Sequence, residues 1–430
     1  MESLRATVPH PQLSTLNPQL ILRSRIVLPI RRPAIADGAV VISGNRIRAV
    51  GRWDAIRKEF PRLPVQDLGD VALLPGLINA HCHLEYTDLA GEFLPPRHFS
   101  DWLKLIVTAK GIRSDADFAA AWQRGAEQLL RTGTTTVADI IALPEIQPLP
   151  TPLRIFSFLE MTGVKSKQPP TKIIAAATAK IKSLRAKDRL AGYSPHAPYS
   201  TTPELLRRTA QTARRNRWRV TTHVAESPEE FEMFTAGHGR LFDWLKGQRD
   251  CSDCGHGSPI QHLARSGLLG ANFLAIHANC LAPGDAGLLA RSHSSVVHCP
   301  RSHTFFSHPK FPLKAFTSAG VNVCLGTDSL ASIEGRGKKP PKLNMFSELR
   351  SFHRKNPGTP AGTILRMATL NGAQALGLAG RLGEISRGAF ADLITIPCRE
   401  KLADVLEAVQ HHRGEVSASM INGQWALPPK

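Results

Sequence analysis

No apolar run in the 430-residue chain approaches the roughly 18 residues that a membrane-crossing helix needs. Residues 1–16 lack the basic-then-apolar pattern of a secretory leader, so a cytoplasmic protein is expected. Disulfide scaffolding is missing as well. The seven cysteines, Cys82, Cys251, Cys254, Cys280, Cys299, Cys324 and Cys398, are odd in number and irregular in spacing, and no framework follows from them. Cys251-x-x-Cys254 has His256 and His262 after it but no second Cys pair. It reads as a surface loop rather than a structural zinc site. Acidic residues are scarce: 35 against 54 basic ones, for a net charge of +19. The basic residues are scattered, densest over 180–189, 207–219 and 336–342. The first two groups read as solvated helix faces, so no nucleic-acid partner is expected, although the charge favours an anionic substrate.

What remains is an ordinary globular composition, 42% apolar and 21% charged, and length for one large domain and a smaller one. The two ends share a β-rich texture. Residues 20–29 and 65–74 are strand-like, and 39–51 form a hairpin around Gly44-Asn45. Residues 388–396 and 416–425 are strands around turns. A composite β-sandwich of 1–72 and 383–430 is expected, with a catalytic unit over 73–382. Within that unit, apolar runs at 77–83, 134–139, 153–161, 190–194, 220–223, 273–277, 294–298 and 321–326 alternate with helical stretches such as 116–132 and 203–216. Strands alternating with helices imply a parallel sheet, and eight such units imply an α/β fold of the (β/α)8 barrel type.

In such a barrel the chemistry sits at the C-terminal ends of the strands. The first run ends in His81-Cys82-His83; strand alternation points both imidazoles one way and Cys82 the other. The fourth ends at Ser194-Pro-His196, the fifth at His223-Val-Ala-Glu226 and the sixth at His277-Ala-Asn-Cys280. The seventh ends at His298-Cys-Pro-Arg-Ser-His303 and the eighth at Gly326-Thr-Asp-Ser329. A single histidine after an apolar run is ordinarily a core residue. Five strands ending this way at one mouth are not a packing accident. Three imidazoles and a carboxylate suit Zn²⁺, or Fe²⁺, with a position left for water. Glu226 lies within reach of that water and of a substrate, as a general base must.

These motifs resemble the amidohydrolase superfamily in its aminohydrolase and deaminase branch. The resemblance spans nearly the whole chain. It rests on Pro75-Gly-Leu-Ile-Asn-Ala-His-Cys-His83, Pro195-His-Ala-Pro-Tyr199, His223-Val-Ala-Glu226, His277-Ala-Asn-Cys280, Gly326-Thr-Asp-Ser329, Ala368-Thr-Leu-Asn-Gly-Ala373 and Gly388-Ala-Phe-Ala-Asp392. It implies His81, His83, His223 and Asp328 as ligands of one divalent ion. It further implies Glu226 as proton shuttle, His277 as the group that polarises the substrate or holds hydroxide, and Asp328 as a second proton acceptor. His196 matches a substrate-contacting histidine. Binuclear relatives carry a lysine at the end of the fourth strand; this chain has none there, which favours a mononuclear site.

Two departures bear on substrate. Cys299-Pro-Arg-Ser-His303 stands where many relatives have Asn-Pro-x-Ser-Asn, which makes Arg301 and His303 candidate substrate contacts. The segment 231–262 lies where substrate loops vary. Glu85 reads either as a sugar-hydroxyl contact or as a cap, and Glu160 as a buried salt-bridging residue at the barrel mouth. His298, Cys280 and Cys299 read as packing residues. The expected activity is hydrolytic deamination of a small amino-substituted heterocycle, with an adenine nucleoside such as aminodeoxyfutalosine as the leading substrate. The rivals are a triazine chlorohydrolase or cyclic amide hydrolase at the same metal, and an inactive barrel that binds nucleic acid. A homo-oligomer is compatible with all of them.

Overall fold

The computed structural model describes residues 19–142, 150–164, 168–186, 189–335 and 340–429. Parts of the amino-terminal segment and of the basic stretches at 180–189 and 336–342 lie outside these.

The eight apolar runs are strands, at Leu77–Cys82, Thr134–Ile141, Arg154–Met161, Leu190–Pro195, Val220–Val224, Phe273–His277, Ser295–His298 and Asn322–Leu325. Each pairs in parallel with the next in chain order. Every residue of the first, fifth and sixth strands is buried, as in a parallel sheet covered on both faces. First and last strands meet at a seam without a regular ladder. An isolated bridge joins Cys82 to Asp328, and the backbone N–H groups of Thr327 and Asp328 both donate to the His81 carbonyl, at 3.0 and 3.2 Å. Asn79 Nδ2 donates to Thr327 Oγ1 at 2.7 Å, and Thr327 N donates back to Asn79 Oδ1 at 3.0 Å.

The helices follow local signals. Ser114 and Asp117 form a capping box at the start of Asp115–Arg131, which satisfies donors that the first turn leaves open. That helix buries Phe118, Ala121, Trp122, Gly125, Ala126 and Leu129, a stripe at helical spacing. Thr202 caps Pro203–Asn216, which carries proline in its first turn and ends on Arg217 at φ 55°.

The two chain ends build one continuous eight-stranded sheet. In it Leu393–Pro397 pairs antiparallel with Val71–Pro75, and Gln19–Val27 lies on the other side of Val71–Pro75. The composite β-unit is thus a single mixed sheet whose path is unbroken. Val71–Pro75 passes through Gly76 into the first barrel strand. A Cβ at Gly76 would fall 2.1 Å from Thr135 atoms, so only glycine fits between sheet and barrel. Among the described residues no helix is long and apolar enough to cross a membrane.

The seam tolerates no side chain at Gly326, where a Cβ would lie 2.7 Å from the His81 carbonyl oxygen and 2.9 Å from His81 Cβ. Gly326→Ala is expected to lower unfolding free energy by about 1–3 kcal/mol, as overpacking does. Denaturant unfolding followed by circular dichroism reads this, and an unchanged midpoint with an unchanged slope would contradict the steric assignment.

Candidate metal centre and active-site cavity

His81 and His83 project from the end of the first strand into the barrel mouth, while Cys82 packs outward with Leu84 and Trp122. The fifth strand delivers His223 and the eighth Asp328. One ligand atom from each of these four residues lies within 4.8 Å of the others. His83 Nε2 stands 3.3 Å from His223 Nε2. Asp328 Oδ1 is 3.5 Å from His81 Nε2 and 3.7 Å from His83 Nε2. The His223 ring is set by its other nitrogen, Nδ1, which lies 2.9 Å from the His196 carbonyl and donates to it. That leaves Nε2 as a lone-pair donor toward the centre. Ser332 Oγ donates to Asp328 Oδ2 at 3.1 Å, leaving Oδ1 to the histidines.

The donor set fits a metal ion. Both ring nitrogens of His81 and the Nδ1 of His83 are buried without a hydrogen-bond partner, which buried polar groups rarely tolerate. A cation at the point of convergence satisfies those aimed at it. The protonation states agree. Burial, with the neighbouring imidazoles, pushes His83 well below its ordinary range and His223 down to about 3, so both are neutral, the form that binds metal. At Asp328 burial works to raise the carboxyl, but the His81, His277 and His83 rings facing it prevail and hold it well below the usual carboxylate range.

A second group overlaps the first: Glu226, His277 and Asp328 also have ligand atoms within 4.8 Å. Glu226 Oε1 is 3.4 Å from His277 Nε2. Burial, then the charges of Asp328 and Glu230, push the Glu226 carboxyl well above its ordinary range. Its backbone is held from both sides: Glu226 N donates to Glu230 Oε2 and Asn279 Nδ2 donates to the Glu226 carbonyl, each at 2.9 Å. Several non-glycine residues at these strand ends have left-handed backbones: Ala225 at φ 50°, His277 at 70°, Ala278 at 47° and Asp328 at 56°. Strain of this kind concentrates at functional sites.

Above the centre is a cavity of about 250 Å³. His83, His196, His223, Glu226, His277 and Asp328 line it. His196 Nδ1 lies 2.6 Å from Ser200 Oγ. Three expected substrate contacts lie elsewhere. Glu85 is 2% exposed in the short helix Leu84–Leu89. It does not line the cavity, and burial pushes its carboxyl up to about 8. Arg301 turns toward Glu348 and Lys342: its backbone N donates to Glu348 Oε2 at 3.0 Å, its Nη1 lies 3.6 Å from Glu348 Oε1 and donates to the Lys342 carbonyl at 2.8 Å. His303 turns toward Asn279, with Nδ1 3.1 Å from Oδ1. Both belong to the helix Pro300–Phe305, whose rotation carries them away from the mouth. The wall they were expected to supply comes instead from Phe99–Gly111, through Trp102, Leu103, Ile106, Val107 and Lys110. The 102, 103, 106, 107, 110 spacing is that of one helical face, a signal present in the sequence. The segment 231–262 does reach the cavity, through Trp244, Leu245 and Gln248. Glu160 lines it too, 4.0 Å from Lys110 Nζ.

An eight-stranded parallel barrel with three histidines and an aspartate converging at its mouth defines the class as a (β/α)8 hydrolase with a metal-ligating centre. The Amidohydrolase family model matches residues 72–426, and the chain belongs to that family of hydrolases acting on carbon–nitrogen bonds. A shorter match, over 38–62, is to the bacterial imidazolonepropionase-like composite domain. The chain is 29% identical to a 5-methylthioadenosine/S-adenosylhomocysteine deaminase of Syntrophobacter fumaroxidans, over 91% of this chain and 88% of that one. It is 30% identical to an aminodeoxyfutalosine deaminase of Deinococcus radiodurans, over 83% and 84%. An adenosine deaminase from Xanthomonas campestris, solved with bound zinc, superposes with a TM-score of 0.79 at 26% identity, covering 95% of this chain and 92% of its own.

His81→Ala and Asp328→Ala are each expected to abolish retention of metal through gel filtration. Elemental analysis of the purified variants measures it, and full stoichiometry in either one would remove that residue from the ligand set.

Proposed function

We propose that the protein is a metal-dependent hydrolytic deaminase that releases ammonia from an adenine nucleoside-type compound, with aminodeoxyfutalosine the leading candidate. One observation carries the reading: the His81, His83, His223 and Asp328 cluster adjoins the Glu226–His277 pair, which shares Asp328 with it, and both border one largely apolar cavity. The relatives named as deaminases of methylthioadenosine, S-adenosylhomocysteine and aminodeoxyfutalosine support it.

In this reading the four residues hold one divalent ion, zinc by the donor set and by the zinc-bound neighbour. When bound, such an ion supplies a Lewis acid that brings a water's pKa toward neutrality. The remaining work falls to side chains. Glu226 takes a proton at Oε1, the oxygen facing His277, and passes it to the departing nitrogen. His277 is buried and neutral, lowered well below its usual range chiefly by desolvation, and its unpartnered Nε2 holds or polarises the group under attack. Asp328, a ligand through Oδ1, is a second proton acceptor. His196, also neutral because burial takes it to about 3, contacts the heterocycle from the fourth strand. Trp102 and Trp244 give the ring flat apolar walls, and the Lys110–Glu160 pair meets the polar arm of the substrate.

Glu226 also weighs against a chlorohydrolase on this scaffold. Either reaction needs an acceptor for the proton of the attacking water, but only the amino group must also be protonated to leave, since chloride departs as the anion, so the weight is modest. Glu226→Gln is expected to keep its metal and lose turnover by at least ~10²-fold. Ammonia release from a panel of aminopurine nucleosides and aminotriazines measures this. Turnover equal to wild type in that variant overturns the assigned role, and a wild-type enzyme that releases no ammonia from any compound overturns the activity.

A further inference from the structure

The loop after the seventh strand encloses a second recess, of about 610 Å³, that shares no lining residue with the catalytic cavity. His298, His303 and His308 line it. The His303 ring centroid is 5.1 Å from that of His298 and 5.6 Å from that of His308. The His298 ring is stacked on Phe311 at 3.8 Å, yet its Nδ1 and the Nε2 of His308 are buried without a hydrogen-bond partner. His298 is only 3% exposed. Lys310 and Lys355 complete the lining from exposed positions. Among the described residues neither makes an ion pair closer than 4.0 Å, and no carboxylate lines the recess.

These features select a ligand class. Two uncompensated ammonium groups exclude a cation. The imidazoles do not converge as a metal cage does: none of them belongs to a group whose ligand atoms lie within 4.8 Å of one another. The helix Met345–Lys355 ends here, and its C-terminus opposes an anion, but with only about half a charge against two full ones. A neutral imidazole carries one N–H; that of His303 is taken by Asn279 Oδ1, which leaves His298, His308 and the two ammonium groups as the donors of the recess. Burial takes His303 to about 4 and His308 to about 3, which accords with rings that stay neutral until an anion arrives. Phosphate oxygens match such a donor set. The volume exceeds what one phosphate fills, leaving room for an attached organic group.

We propose that this recess is a binding site for the phosphate group of a small phosphate monoester, separate from the catalytic cavity. Isothermal titration of the metal-loaded enzyme with inorganic phosphate, ribose 5-phosphate and ribose, at constant ionic strength, tests it. Ribose 5-phosphate is expected to bind saturably at one site per chain and more tightly than inorganic phosphate, with no binding of ribose. Lys310→Met/Lys355→Met is expected to weaken ribose 5-phosphate by at least ~10-fold while leaving metal content and melting temperature unchanged. His308→Ala is a second variant, expected to weaken binding in the same direction. Equal affinity for the two phosphates reassigns the ligand as free phosphate and overturns the ester. Binding that persists unweakened in the lysine variant places the anion elsewhere, the metal centre included, and overturns the site. So does the absence of saturable binding below about 10 mM.

Discussion

Closure of the barrel between its first and eighth strands is the constraint on which the rest depends. Asn79 and Thr327, 248 residues apart in sequence, exchange two hydrogen bonds. The His81 carbonyl accepts from both Thr327 and Asp328. These few bonds set the spacing of His81, His83 and Asp328, because each of those side chains leaves the backbone within two residues of the seam. Gly326 makes the approach possible by carrying no side chain where the His81 backbone passes. The positive φ of Asp328 and of His277 costs on the order of 1–3 kcal/mol per residue. It is sustained because the neighbouring strands over-determine those positions.

Dryness governs the electrostatics of the mouth. The same burial that keeps His83, His223 and His277 neutral raises Glu226. For the imidazoles this produces lone pairs ready for a metal. For the glutamate it favours the protonated form. Asp328 is the exception: surrounded by imidazoles, it stays ionised despite burial. One environment thus drives two neighbouring carboxyl groups in opposite directions, Glu226 up and Asp328 down, a division common where two titratable groups need different roles.

The cavity above the centre is built mainly by elements added outside the barrel strands. Phe99–Gly111 and the segment around Trp244 pack against each other beside the histidine–aspartate cluster, and their tryptophans and aliphatic residues form one wall of the cavity. These two segments thus supply much of the cavity wall, whereas the histidine–aspartate cluster and the Glu226–His277 pair lie at the strand ends. Asn279 belongs to both the barrel and its surroundings, holding the Glu226 carbonyl on one side and the His303 ring on the other.

The sequence by itself determined the barrel and which of its strands end in histidine or aspartate. Buried parallel strands must be apolar throughout, so a strand ending abruptly in His or Asp is visible in one dimension, and strand alternation separates His81 and His83 from Cys82. Only the tertiary structure decided which nearby polar residues face the cavity. Glu85, Arg301 and His303 are adjacent in sequence to metal or strand-end residues, yet they lie on short helices. There a rotation of about 100° per residue redirects a side chain, and partners such as Glu348 and Asn279, distant in sequence, set that rotation. Lys110 and Trp244 show the converse. Their segments carry a helical-face spacing and a loop position that sequence shows, but that they reach the cavity beside the histidine–aspartate cluster is decided by how those segments fold over the barrel mouth.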